Sequence, residues 1–206
     1  MNNYFLGLIA IAAMVFGVVS FNTITKLTPP EHALYYQQSR EIKPFELIDH
    51  HGQPFTKEAL NNKWSLVFFG YTSCPDICPT TLQNLNFIYE DLKAIAQNSQ
   101  VLLVSVDPQN DSQEKLSQYI AYFNSEFIAL RAGHEVLFPF ARNMGLMYAI
   151  SGEDDDYSVD HSASLVLINP DGKIAAIFKP EEAMGSVPGI DSDKLLSDFQ
   201  KIVALY

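Results

Sequence analysis

The chain has 206 residues, 48% of them hydrophobic, which suits one ordinary domain with a real core plus a further segment. Its 24 acidic residues outweigh 13 basic ones for a net charge of -11, and every charge lies at or beyond Lys26. So acidic a surface excludes nucleic acid as a natural partner, because phosphate binding needs positive charge.

The first segment runs from Tyr4 to Phe21 without a charge. As a helix it would span about 27 Å, close to the roughly 30 Å hydrocarbon core of a bilayer. No Lys or Arg precedes it and no A-x-A site follows, so residues 1–25 read as an uncleaved single-pass membrane anchor. A signal peptide ending at the weak Val18-Val19-Ser20 site is the alternative. Lys26 and Arg40 follow with nothing basic before them, and that count alone would leave the domain in the cytoplasm. Residues 26–41, polar and carrying Pro29 and Pro30, read as a linker, and the domain proper as 42–206.

Residues 44–55, PFELIDHHGQPF, alternate about a His-Gly turn and predict a short hairpin. WSLVFFGYT, from Trp64, is a continuous apolar run expected of a central strand covered on both faces. Leu82, Leu85, Ile88, Tyr89, Leu92 and Ile95 then recur at helical spacing. VLLVSVD, ending at Asp107, predicts a second buried strand. Leu116, Tyr119, Ile120 and Phe123 mark another helix, and Leu137, Phe140, Met144 and Met147 a third. SLVLINPDGKIAAIF is a hairpin about an Asn-Pro-Asp-Gly turn, and the last segment is a helix capped by Asp191 or Ser192. This order predicts an α/β layer fold with a mixed sheet flanked by helices. A dithiol at the start of the first long helix, after a central strand, is where thioredoxin-like folds carry theirs.

That dithiol is Cys74 and Cys78, the two cysteines of the chain, in CPDIC. On one helix face such an i, i+4 pair has Cβ atoms about 5–6 Å apart, so both sulfurs can meet one ion or each other. A helix N-terminus favours the thiolate, the form that binds metal or attacks a disulfide, and Pro75 suits a first helical turn. A structural bridge here would be near the geometric limit and would close too short a loop to stabilise much. Redox exchange and metal binding are the remaining roles. Two cysteines and scattered histidines fall short of an ordinary zinc set, whereas copper(I) is satisfied by two thiolates and an imidazole. His161, just before the terminal hairpin, is the candidate third ligand, a hydrogen-bonded strand-start histidine being the bland alternative. His32 falls in the linker, His50 and His51 in a turn expected to be solvated, and His134 at a helix cap. Met144 and Met147 read as core. Asp107, at the carboxyl end of its strand, either supports the site or caps the next loop.

FFGYTSCPDICP, VSVDPQNDS and YSVDHS, in that order, resemble the signatures of the Sco/SenC family, over roughly residues 42–206. The resemblance implies a thioredoxin-like fold that binds one copper ion per chain through Cys74, Cys78 and His161, with Asp107 in a supporting role. It implies a membrane-anchored copper chaperone that assists assembly of the binuclear copper site on cytochrome c oxidase subunit II. A thiol-disulfide reductase using Cys74 and Cys78 as its redox dithiol, keeping the subunit's own cysteines reduced, is the competing reading. Other copper chaperones or thiol reductants are implied as further partners. The family's domain faces the periplasm or the mitochondrial intermembrane space, which overrides the charge count and puts this one on the periplasmic side of the inner membrane. The acidic residues 152–157 match no signature.

Overall fold

The structure is a computed structural model that describes residues 7, 11–17, 28–151, 158–161, 163–181 and 188–206, the stretch Ser158–His161 by its backbone alone. Strands β1 (Leu34–Glu41), β2 (Glu46–Asp49), β3 (Pro54–Thr56), β4 (Trp64–Gly70), β5 (Ser99–Ser105) and β6 (Ile128–Arg131) precede the pair β7 (Tyr148–Ser151) and β8 (Ser158–His161). β9 (Leu165–Ile168) and β10 (Lys173–Phe178) complete the set. The helices are α1 (Ile77–Phe87), α2 (Tyr89–Ile95), α3 (Gln113–Phe123), α4 (His134–Met144) and α5 (Ser192–Leu205). One mixed sheet of 8 strands runs in the order β1-β10-β9-β4-β5-β6-β2-β3, while β7 and β8 pair separately. β4 lies parallel to β5 and antiparallel to β9.

The apolar run of β4 has the cause expected of it: every residue is buried because both faces are covered. Leu66 and Phe68 point into a layer with Leu82, Leu85, Leu116, Ile120 and Phe199 of the helices α1, α3 and α5. Val67 and Phe69 point the other way, against Leu137, Phe140 and Met144 of α4. A side chain such as Phe68, 0% exposed, contributes about 1.5–3 kcal/mol by leaving water. The β2–β3 and β9–β10 hairpins form as expected, with Gly52 and Gly172 at φ of 81° and 69° in their turns. Asp191 caps α5, accepting from the N–H groups of Asp193 and Lys194 at 3.0 Å.

Several expectations are corrected. Residues 34–41 are not linker but β1, antiparallel to β10 at the sheet edge. The segment before it is held by α5: the Asp198 carboxylate accepts from the backbone N–H groups of Glu31 (2.9 Å), His32 (2.6 Å) and Ala33 (2.8 Å). The single helix expected through Ile95 is broken at Ile88, where ψ is 7°, giving α1 and α2. Met147 lies beyond α4 and is 75% exposed, unlike the buried Met144. Among the described residues no helix is long and apolar enough to cross a membrane. Most of the expected anchor falls outside them, and 11–17, the longest described part, is helical.

Candidate metal and redox site

Strand β4 ends at Gly70, and its connection to α1 carries the dithiol over the carboxyl edge of the parallel strands. Cys74 precedes the helix and Cys78 lies in its first turn, so the two do not share a helix face as expected. Instead Cys74 substitutes for a capping side chain: the N-cap residue Asp76 makes no side-chain cap, and the Cys78 N–H donates to Cys74 Sγ at 3.4 Å. Pro75 therefore stands ahead of the helix, and Pro79 occupies the first turn, where a missing N–H costs little. The sulfurs are brought together as thiols without a bridge, Cys78 buried and Cys74 part-exposed. Cys74 and burial both push the Cys78 thiol far above its ordinary value, so its proton stays on through the neutral range. The Cys74 sulfur, by contrast, receives a backbone donor at the positive end of a helix.

Gly70 makes the room for this. A Cβ there would sit 2.9 Å from Cys78 Sγ, 2.9 Å from the Phe68 ring and 3.2 Å from Leu103. The connection itself is fastened by Asp111, a fully buried carboxylate that the sequence reading passed over. It accepts from Thr72 N–H at 3.1 Å, from Thr72 Oγ1 at 2.5 Å and from Ser105 Oγ at 2.6 Å. Lys115 Nζ, 3.9 Å from Asp111, reaches Ser73 Oγ at 3.2 Å. One turn further along α3, the Tyr119 hydroxyl is buried and has no hydrogen-bond partner among the described residues. Burial first, then the neighbouring Cys78, Cys74 and Asp111, push that phenol well above its usual value and keep its proton in place.

Asp107 is buried, two residues beyond the end of β5 rather than on the strand itself. It accepts from Asn110 N–H at 3.3 Å and from Asn110 Nδ2 at 3.2 Å, so it shapes the loop leading to Asp111. His161 lies in β8, with its backbone in register with Tyr148 of β7; its side chain falls outside the described residues. Among the described residues no three His, Cys, Asp or Glu side chains converge as a metal site. Of the other histidines, His51 is exposed in its turn as expected, its backbone N–H donating to Asp49 Oδ1 at 2.9 Å. His50 is not solvated but 7% exposed, its Nδ1 accepting from Ala129 N–H at 3.1 Å, and burial lowers its pKa. His134 does not cap α4; Gly133 does, and the His134 ring bonds the Tyr148 hydroxyl at 2.8 Å. His32 donates its backbone N–H to Asp198 at 2.6 Å, one of the three that fasten this segment to α5. Residues 152–157, the acidic segment, lie outside the described residues.

Known proteins match this arrangement. The family model described as SCO1/SenC matches residues 34–188, beginning where β1 begins. A SCO2-like protein of Rickettsia felis is 32% identical over 195 residues, 88% of this chain and 95% of its own length. Among solved structures, ScoI of Arabidopsis thaliana with copper bound superposes with a TM-score of 0.69 at 29% identity, over 80% of this chain and 98% of that one. Apo Sco1 from Thermus thermophilus superposes with a TM-score of 0.70 at 29% identity, over 85% and 98%.

Proposed function

This chain belongs to the SCO1/SenC family, and on that premise we propose that it is a membrane-anchored copper metallochaperone. It holds one copper ion per chain through Cys74, Cys78 and His161 and assists assembly of the binuclear copper site of cytochrome c oxidase. The observation that carries the reading is the reduced sulfur pair at the mouth of α1, with Cys74 Sγ accepting the Cys78 N–H. Soft thiolates select copper(I), and one imidazole completes a three-coordinate site. The copper bound to the Arabidopsis relative supports the choice of ion. The Cys78 proton is displaced as the metal enters, so binding couples to proton release. Asp111 fastens the connection that presents the sulfurs, and Asp107 shapes the loop that leads to Asp111. The apolar segment before Lys26 anchors the domain on the periplasmic face of the inner membrane, and tethering there raises its effective concentration near a membrane-bound acceptor.

A second reading is favoured by the unequal exposure of the sulfurs. In thiol-disulfide exchange the accessible Cys74 thiolate attacks an acceptor disulfide, breaking its S–S bond and forming a mixed disulfide. Cys78, losing its proton, then displaces the acceptor's second thiolate and closes a Cys74–Cys78 bridge. Two electrons pass to the acceptor.

Anaerobic mixing of the copper-loaded protein with the copper-accepting domain of oxidase subunit II separates the two, the acceptor being supplied first as a dithiol and then as a disulfide. Copper passing to the reduced acceptor, with Cys74 and Cys78 left as thiols, is the expected result. A Cys74–Cys78 disulfide formed with the oxidised acceptor, and no copper passing to the reduced one, would establish the reductase instead. If neither is seen, with no copper passing and no Cys74–Cys78 disulfide forming, both readings fall.

A further inference from the structure

The face of α3 toward the dithiol carries a row of residues one helical turn apart: Asp111 just ahead of the helix, then Lys115, then Tyr119. The first two members each grip the connection that carries the cysteines, Asp111 at Thr72 and Lys115 at Ser73. The next step along both the row and the connection brings Tyr119 beside Cys74 and Cys78. Tyr119 and Cys74 pack against the same buried cluster, of which Cys78 is a member. Its hydroxyl is the exception in the row, buried and without a partner among the described residues. A buried donor left unmade costs about 1–3 kcal/mol, so its presence calls for a state of the protein in which it is used.

We propose that Tyr119 is a positioning residue for the copper-thiolate state, its hydroxyl donating a hydrogen bond to a sulfur of the Cys74/Cys78 pair once copper has displaced the thiol proton. A neutral thiol is a weak acceptor, whereas a metal-bound thiolate carries charge and attracts an O–H donor strongly. The donor is therefore idle in the dithiol protein and engaged in the loaded one. It fixes the sulfur in place and withdraws electron density from it. This inference rests on the copper-binding reading above.

The test is Tyr119→Phe in the full chain in detergent, with copper affinity measured by chelator competition. The sulfur-to-copper(II) charge-transfer band and the melting temperature of the metal-free protein are measured alongside. The phenylalanine removes only the idle hydroxyl, so the metal-free protein should melt at or above the wild-type temperature. The loaded protein should bind copper about tenfold more weakly, the loss of one modest charge-assisted bond. Its charge-transfer band should move to longer wavelength, because a sulfur without the hydrogen bond gives up electrons more readily. A variant with wild-type affinity and band position overturns the proposal. So does a lower melting temperature of the metal-free variant, which would mean that the hydroxyl serves the fold. A wild-type protein that holds no copper overturns the proposed function itself and takes this inference with it.

Discussion

Replacing Asp111 by alanine tests whether one buried carboxylate holds the cysteine connection in place. The side chain is 0% exposed and accepts from Thr72 N–H, Thr72 Oγ1 and Ser105 Oγ at 3.1, 2.5 and 2.6 Å. Ser105 is not a passive partner, since its own hydroxyl accepts the Asp107 N–H at 3.2 Å. Alanine leaves those donors without their acceptor. Hydrogen bonds to a charged group contribute about 1.5–3 kcal/mol each, and breaking a buried network costs about 3–5 kcal/mol, so the loss should fall in that range. For a domain of this size that is a fall in melting temperature of roughly 6–20 °C, read by calorimetry of the metal-free protein. Asp111→Asn keeps one acceptor oxygen and should lose less. An Asp111→Ala protein within about 1 kcal/mol of wild type would refute the reasoning, since the cysteine connection would then be held by something else.

Two other predictions concern the sulfurs. Gly70→Ala places a methyl group 2.9 Å from Cys78 Sγ among buried neighbours, so it should destabilise the fold by about 1–3 kcal/mol and weaken copper binding. Denaturant titration and copper titration of the variant check this, and wild-type behaviour in both would contradict it. The Cys78 thiol lies above its ordinary value of 9.0, so at neutral pH it carries a proton that copper must displace. Copper uptake at pH 7 should release a proton from Cys78, and affinity should rise as pH rises; calorimetric titration in buffers of different ionisation enthalpy reads the proton count, and zero release would contradict the assignment. The same displacement makes the metal-free fold lose stability as pH climbs past 9.0, because only the unfolded chain then sheds the proton.

The parts of this fold that were legible in the sequence are those whose burial is two-sided or strictly periodic. β4 and β5 read as strands because both sheet faces are covered, and the terminal hairpin because Asn-Pro-Asp-Gly admits few other conformations. β1 escaped because an edge strand of sequence LYYQQSRE buries little and shows no clean alternation. The cysteines were found by type and spacing, but their relation was not, since helical spacing says nothing of where a helix begins; α1 starts only at Ile77. Asp111 was not singled out, because its importance lies in Thr72 and Ser105, which are distant in sequence or belong to another element. Tyr119 was read as an apolar helix position, correct for its ring and silent on its hydroxyl. His50 was misjudged for a similar reason: its burial comes from Ala129, a partner on β6.

The central claim, a copper site built on Cys74, Cys78 and His161, is tested most directly by anaerobic copper titration of the reduced full chain beside His161→Ala, with metal stoichiometry and the thiolate-to-copper absorption as readouts. The expected result is one tightly held copper per chain with thiolate bands, and in the variant a much weaker site with altered bands while the Cys74–Cys78 pair still oxidises normally. A His161→Ala protein that holds copper as tightly as wild type, with the same spectrum, would contradict the claim.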